Sequence, residues 1–146
     1  MNAREEIKNK QRIVIKIGSS SLLHKESGSV DFRRLEKLVR IVCDLKNQNK
    51  DVILVSSGAI AVGFQSLGLR TKPKTLSLKQ ACAAIGQAQL MMMYQKLFME
   101  YNHTAAQVLL TFDAITDEER RRNAENTLNE LLQQDVIPVV NENDTV

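Results

Sequence analysis

The chain has no tryptophan and only two prolines, two cysteines and two histidines among 146 residues; aromatics make up 4% of it. Each scarcity excludes a class of function. So few aromatics leave no base-stacking surface for single-stranded nucleic acid. A net charge of +3, from 20 basic and 17 acidic residues, is too small and too dispersed for an electrostatic nucleic-acid footprint. Cys43 and Cys82 lie far apart in helix-like segments, with no C-x-x-C and no paired histidines to complete a metal shell, so they read as buried thiols and no metal site is expected. No run approaches the roughly 18 apolar residues of a membrane span, and the mixed-charge start Met1–Arg12 lacks the apolar core of a secretion signal. A protein without membrane association, located in the cytoplasm, is the expectation.

What is present suits one globular unit: 43% hydrophobic and 25% charged residues, without repeats, low-complexity tracts or a Pro/Gly-rich linker. Four short runs rich in β-branched residues recur at Arg12–Ile17, Asp51–Val55, Thr104–Leu110 and Val136–Val140. They are nearly continuous rather than alternating, the pattern of parallel strands buried on both faces. Helical patterns lie between them. Leu35, Leu38, Val39, Val42 and Leu45 form one apolar stripe, with Asp31 placed as an N-cap. Ser77–Tyr101 forms a longer helix, rich in alanine in its first half. A third begins at a capping-box pair, Thr116 and Glu119, and buries Leu128, Leu131 and Leu132. Alternating strands and helices predict a three-layer α/β/α sandwich around a mainly parallel sheet, with ligands bound beyond the carboxyl ends of the strands.

The residues at those ends are small, polar or charged. Lys16 interrupts an apolar strand, and a buried ammonium requires an anion nearby. With Gly18-Ser19-Ser20 it makes a phosphate cradle, or equally a lysine snorkelling beside an ordinary turn; the Walker A spacing is absent. Ser56-Ser57-Gly58-Ala59 leads from a strand into a helix, which suits either an anion-binding helix N-terminus or a plain capping turn. Asn141-Glu142-Asn143-Asp144 follows the last strand and offers carboxylates and amides for an ammonium, a substrate or a metal; taken alone, it reads as a solvated turn rather than a site. His24 and His103 are isolated. Arg120-Arg121-Arg122 faces Asp117, Glu118 and Glu119 as a salt-bridged helix face. Met91-Met92-Met93 suits adaptable packing or a subunit contact. The segment from Gly68 to Lys74 reads as an exposed basic loop able to close over a ligand.

With these residues in view, the chain resembles the amino acid kinase family. The matching pieces are Val14-Ile15-Lys16-Ile17-Gly18-Ser19-Ser20, Val55-Ser56-Ser57-Gly58-Ala59-Ile60, Lys79 to Gln87, Gln107 to Thr111, and Pro138 to Asp144. The second, third and last of these, in that order, are most similar to the glutamate-phosphorylating branch. The resemblance implies transfer of a phosphoryl group from ATP, with Mg²⁺, to the γ-carboxylate of L-glutamate, the first step of proline biosynthesis. It implies that Lys16 is catalytic and, with Gly18 and Ser19, holds ATP phosphates. Ser57, Gly58 and Ala59 would bind glutamate, Asp144 its amino group, and Asn141 would shape that pocket. It further implies a homo-oligomer with proline as feedback inhibitor. The family continues beyond the last motif, so residues 1–146 correspond to the N-terminal, substrate-binding half of a kinase domain, without the nucleotide-binding half and inactive alone. Phosphorylation of N-acetylglutamate or aspartate, or a non-catalytic amino-acid-binding or oligomerisation module, are the competing expectations.

Overall fold

The computed structural model describes residues 3–146, so the first two residues of the charged N-terminal segment lie outside the described part. Four strands, β1 (Arg12–Ile17), β2 (Asp51–Ser56), β3 (Ala105–Leu110) and β4 (Ile137–Glu142), form one parallel sheet in the order β1-β2-β4-β3. Helices α1 (Ala3–Lys8), α2 (Ser19–Leu22), α3 (Phe32–Asn47), α4 (Ala59–Ser66), α5 (Leu76–Glu100), α6 (Asp113–Thr116) and α7 (Glu118–Gln133) fill the connections. Parallel neighbours need crossovers, and α3, α5 and α7 are those crossovers.

Side-chain alternation along the strands divides the core in two. Val52, Leu54, Ile137, Val139 and Ala105 face α3 and α5, meeting Leu35, Val39, Val42, Leu90, Tyr94 and Phe98. Ile53, Val140 and Val108 face the other way, against Leu128, Leu131 and Leu132 of α7. The sandwich expected from the sequence is therefore present. Burial on both faces fails at β1, where Ile15 and Ile17 pack against the α3/α5 core while Val14 remains 61% exposed and Lys16 is exposed too. The reason is positional: β1 is an edge strand, and α7 packs on the other three.

The helix starts are set by local hydrogen bonds. Asp31 accepts from Arg34 N at 3.1 Å, as its placement before the α3 stripe required, and Thr75 accepts from Leu78 N at 3.4 Å to start α5. The expected capping box at Thr116 is displaced by one residue: Asp117 caps α7 through Arg120 N at 2.9 Å, and the Thr116 hydroxyl instead donates to Phe112 O within α6. A carboxylate outcompetes a threonine hydroxyl at a helix N-terminus. The arginines that follow pair with Asp113 and Glu125, not with Asp117–Glu119.

The helix ends share one device. Asn49, Asn102 and Asp135 each adopt φ of 59°, two residues past the ends of α3, α5 and α7. At each, the next residue's N–H reaches back to close a six-to-one turn: Lys50 to Leu45 O at 3.2 Å, His103 to Phe98 O at 3.0 Å, Val136 to Leu131 O at 2.9 Å. These are Schellman motifs in which Asn or Asp takes the usual glycine position, and each delivers the chain straight into the next strand.

Candidate substrate site

Adjacent strands place their ends side by side. Ile17 pairs with Ser56 and Val55 with Val140, so Gly18, Ser57 and Asn141 succeed one another along the carboxyl edge of the sheet. Above that edge opens a cavity of about 530 Å³, inside the range of small-molecule sites. Ser19, Ser57, Gly58, Ala59, Asn141 and Asp144 all line it. The structure thus brings together six of the eight residues singled out from the sequence. Lys16 and Gly18 are not among its lining residues. Lys16 points to the α7 side of the sheet, beside Val55 in register, because side chains alternate and Ile15 and Ile17 take the opposite face. Its ammonium is exposed, so the expectation that burial demands an anion does not hold in this geometry.

Two features give the cavity its chemistry. The first is the start of α4. Gly58 sits at its N-cap with φ of 110°, a left-handed conformation that needs glycine, and no side chain caps the helix. The first-turn amides of a helix have no internal acceptor, so those of α4, at Ala59, Ile60 and Ala61 on the cavity wall, are available to an anion with the positive helix end behind them. The Ser57 hydroxyl is committed elsewhere: it donates to Ile17 O at 3.2 Å, stitching the α4 entry to β1.

The second is the end of β4. The strand runs two residues further than the sequence pattern suggested, to Glu142, so Asn141 is a buried strand residue and not part of an exposed turn. Its amide accepts from Glu142 N at 2.9 Å and donates to Gln87 Oε1 at 2.7 Å. Asn143 Oδ1 accepts from Thr145 N and Oγ1 at 3.2 and 2.6 Å, making the turn that presents Asp144. Asp144 is half-buried and has no ion pair or hydrogen bond with the described residues. A carboxylate so placed is a receptor for a cation.

Lys72 and Lys79 also line the cavity, and neither ammonium has a partner among the described residues. Lys79 lies in the first turn of α5, where a cation opposes the helix dipole and no acidic residue offsets it. The sequence reading passed over Lys79 as a site residue. That lysine heads the Lys79 to Gln87 motif, but only the fold shows that the first turn of α5 borders the sheet edge. Lys72 and Pro73 place the basic loop on the same cavity, as a covering loop requires. Among the described residues no three His, Cys, Asp or Glu side chains gather to hold a metal, and no helix is long and apolar enough to cross a membrane.

A parallel sheet with free helix amides, two lysines and two unpaired carboxylates, Glu142 and Asp144, at its carboxyl edge defines an α/β domain whose edge cavity offers groups of both charges. The particular lineage is clear from sequence: the amino acid kinase family pattern matches residues 11–146, and the chain belongs to that family. It is 54% identical over 98% of its length to glutamate 5-kinase of Carboxydothermus hydrogenoformans. The same name is carried by relatives from Clostridium perfringens, 50% identical, and Listeria innocua, 48% identical, each over 98% of the chain. The chain spans 38%, 53% and 51% of the lengths of these three relatives.

Proposed function

We propose that the protein of which this chain is part transfers the γ-phosphoryl group of ATP to the γ-carboxylate of L-glutamate, and that residues 1–146 form its glutamate-holding half. The observation that carries the reading is the cavity itself, lined by the unpaired carboxylates of Asp144 and Glu142 together with free α4 amides and two unpaired lysines. Glutamate supplies the complement. Its ammonium suits Asp144, with Asn141 shaping the floor; one carboxylate suits the Ser57-Gly58-Ala59 amides, and Lys72 and Lys79 neutralise the other.

The chemistry asks for little beyond this. A carboxylate is already an anionic nucleophile at neutral pH, so no general base is needed. Its oxygen forms a bond to the γ-phosphorus as the bond to the β-bridging oxygen breaks, releasing ADP. The obstacle is repulsion between the carboxylate and the triphosphate, which alignment and positive charge overcome. Lys16, Gly18 and Ser19 at the neighbouring strand end are assigned to the ATP phosphates. Mg²⁺ would arrive with those phosphates, needing few protein ligands. The longer relatives contain further sequence in which the nucleotide can be held. We also assign to the parent protein a homo-oligomeric state and inhibition by proline, an amino acid with the same ammonium and α-carboxylate.

Calorimetric titration of this chain with L-glutamate and, separately, with Mg-ATP tests the division of labour. Glutamate binding without ATP binding is expected. Turnover by the full-length protein of N-acetylglutamate or aspartate, with none of glutamate, would sink the substrate assignment.

A further inference from the structure

Beneath the cavity floor, Gln87 of α5 and Asn141 of β4 meet in a buried amide pair, 8% and 7% exposed, with Asn141 Nδ2 donating to Gln87 Oε1 at 2.7 Å. We infer that Gln87 is a positioning residue for substrate binding, acting on the amino-acid ligand only through the orientation of Asn141. The inference rests on the glutamate site proposed above and adds to it a residue that does not line the main cavity.

The geometry leaves the Asn141 amide one orientation. Its oxygen accepts from Glu142 N at 2.9 Å, so its NH₂ must face the other way, and one of the two hydrogens is taken by Gln87. The second hydrogen and the remaining oxygen lone pair are what Asn141 can offer to a ligand. Without Gln87 the NH₂ would lose its only side-chain acceptor among the described residues, in a buried setting, and would rotate or draw in water. On the Gln87 side, the small cavity lined by Gln87, Ala59 and Asp144 measures about 10 Å³, at the lower limit for one water. The pair also spans two elements that both reach the substrate. α5 carries Lys79 in its first turn, and β4 ends two residues before Asp144, so the Gln87–Asn141 bond fixes the spacing of the cationic and anionic walls.

The test is steady-state kinetics of the full-length protein carrying Gln87→Met, which keeps the side-chain length and removes the acceptor. The expected result is an increase of about tenfold in KM for glutamate, with kcat and KM for ATP within twofold of wild type. Gln87→Glu, which still accepts from Asn141, should recover most of the loss. In an Asn141→Ala background, Gln87→Met should add nothing, because the group it positions is gone. If Gln87→Met does not fold, Gln87→Asn replaces it: one methylene shorter, it breaks the contact without changing functional group and must raise KM for glutamate in the same way. An unchanged KM for glutamate, or a rise of the same size in the Asn141→Ala background, overturns the positioning role while leaving the substrate assignment intact. A wild-type protein that does not turn over glutamate overturns both.

Discussion

Asp144 is a residue whose stability and function pull in opposite directions. It is half-buried, faces a cavity and has no cation among the described residues, so in the free protein it is a cost. Asp144→Asn removes that cost. The expected outcome is a thermal midpoint equal to or above wild type together with a roughly 10- to 100-fold loss of glutamate affinity, read by calorimetric titration of the full-length protein. A parallel fall in midpoint would show that the carboxylate holds the turn and not a ligand. Lys79 carries the opposite sign and the same logic. A cation in the first turn of α5 works against the helix dipole, so Lys79→Met should leave the midpoint unchanged or higher by up to about 1 kcal/mol of stability. It should also raise the KM for glutamate. Asp144 was legible in the sequence through its motif. Lys79 was not, since nothing in a linear pattern shows which helix starts border the sheet edge.

Helix α4 holds its place because two glycines let it touch α5 backbone to backbone. A Cβ at Gly63 would sit 1.8 Å from Cys82 O, and one at Gly86 would sit 1.7 Å from Ala59 O. Neither neighbour is a movable side-chain tip. Gly86→Ala must therefore push α4 away and carry the Gly58–Ala61 amides with it, costing about 1–3 kcal/mol or more in denaturant unfolding and weakening glutamate binding together. A variant with wild-type stability and affinity would contradict the close approach. The same scale shows what the sequence made readable. Strand runs, the Asp31 cap and the apolar stripes of α3 and α7 lay within one or two residues of the observed elements, because each is a local signal. The cap of α7 was misplaced because Thr116 and Asp117 are both competent and only the turn of α6 decides between them. The asparagines and aspartate at the C-terminal turns are a local signal as well. At Asn102, φ of 59° makes Gly neutral or slightly stabilising and Val unfavourable by about 1–2 kcal/mol, measurable from unfolding midpoints.

At the scale of the whole molecule, the larger core is closed by an aromatic pair and one buried hydroxyl. Tyr94 and Phe98 stack with centroids 6.3 Å apart on the sheet, and the Tyr94 hydroxyl meets Ser56 Oγ at 2.8 Å. The link ties the C-terminal half of α5 to the last residue of β2, next to cavity-lining Ser57. Which tyrosine would be buried was not legible, because α5 is apolar over much of its circumference and only the sheet selects the face that carries Tyr94. Burial pushes the Tyr94 phenol up to about 12, the Ser56 bond opposing only part of the effect, and burial likewise pushes the Cys43 thiol up to about 11. Both groups are raised in the folded state, so both contribute stability that is complete below their unfolded pKa values and is lost as pH rises. Stability is therefore expected to hold up to about pH 9, then fall as Cys43 enters its window between 9.0 and about 11 and Tyr94 its window between 10.0 and about 12. For Tyr94 two pH units correspond to about 2–3 kcal/mol. Urea midpoints recorded from pH 7 to 12 measure the sum, and Tyr94→Phe isolates the tyrosine. That variant should start lower, because Ser56 loses its partner, and then lose less stability above pH 10 than wild type does. Equal alkaline slopes for the two proteins would mean that Tyr94 ionises without unfolding, and that the hydroxyl beneath the site is reached by solvent.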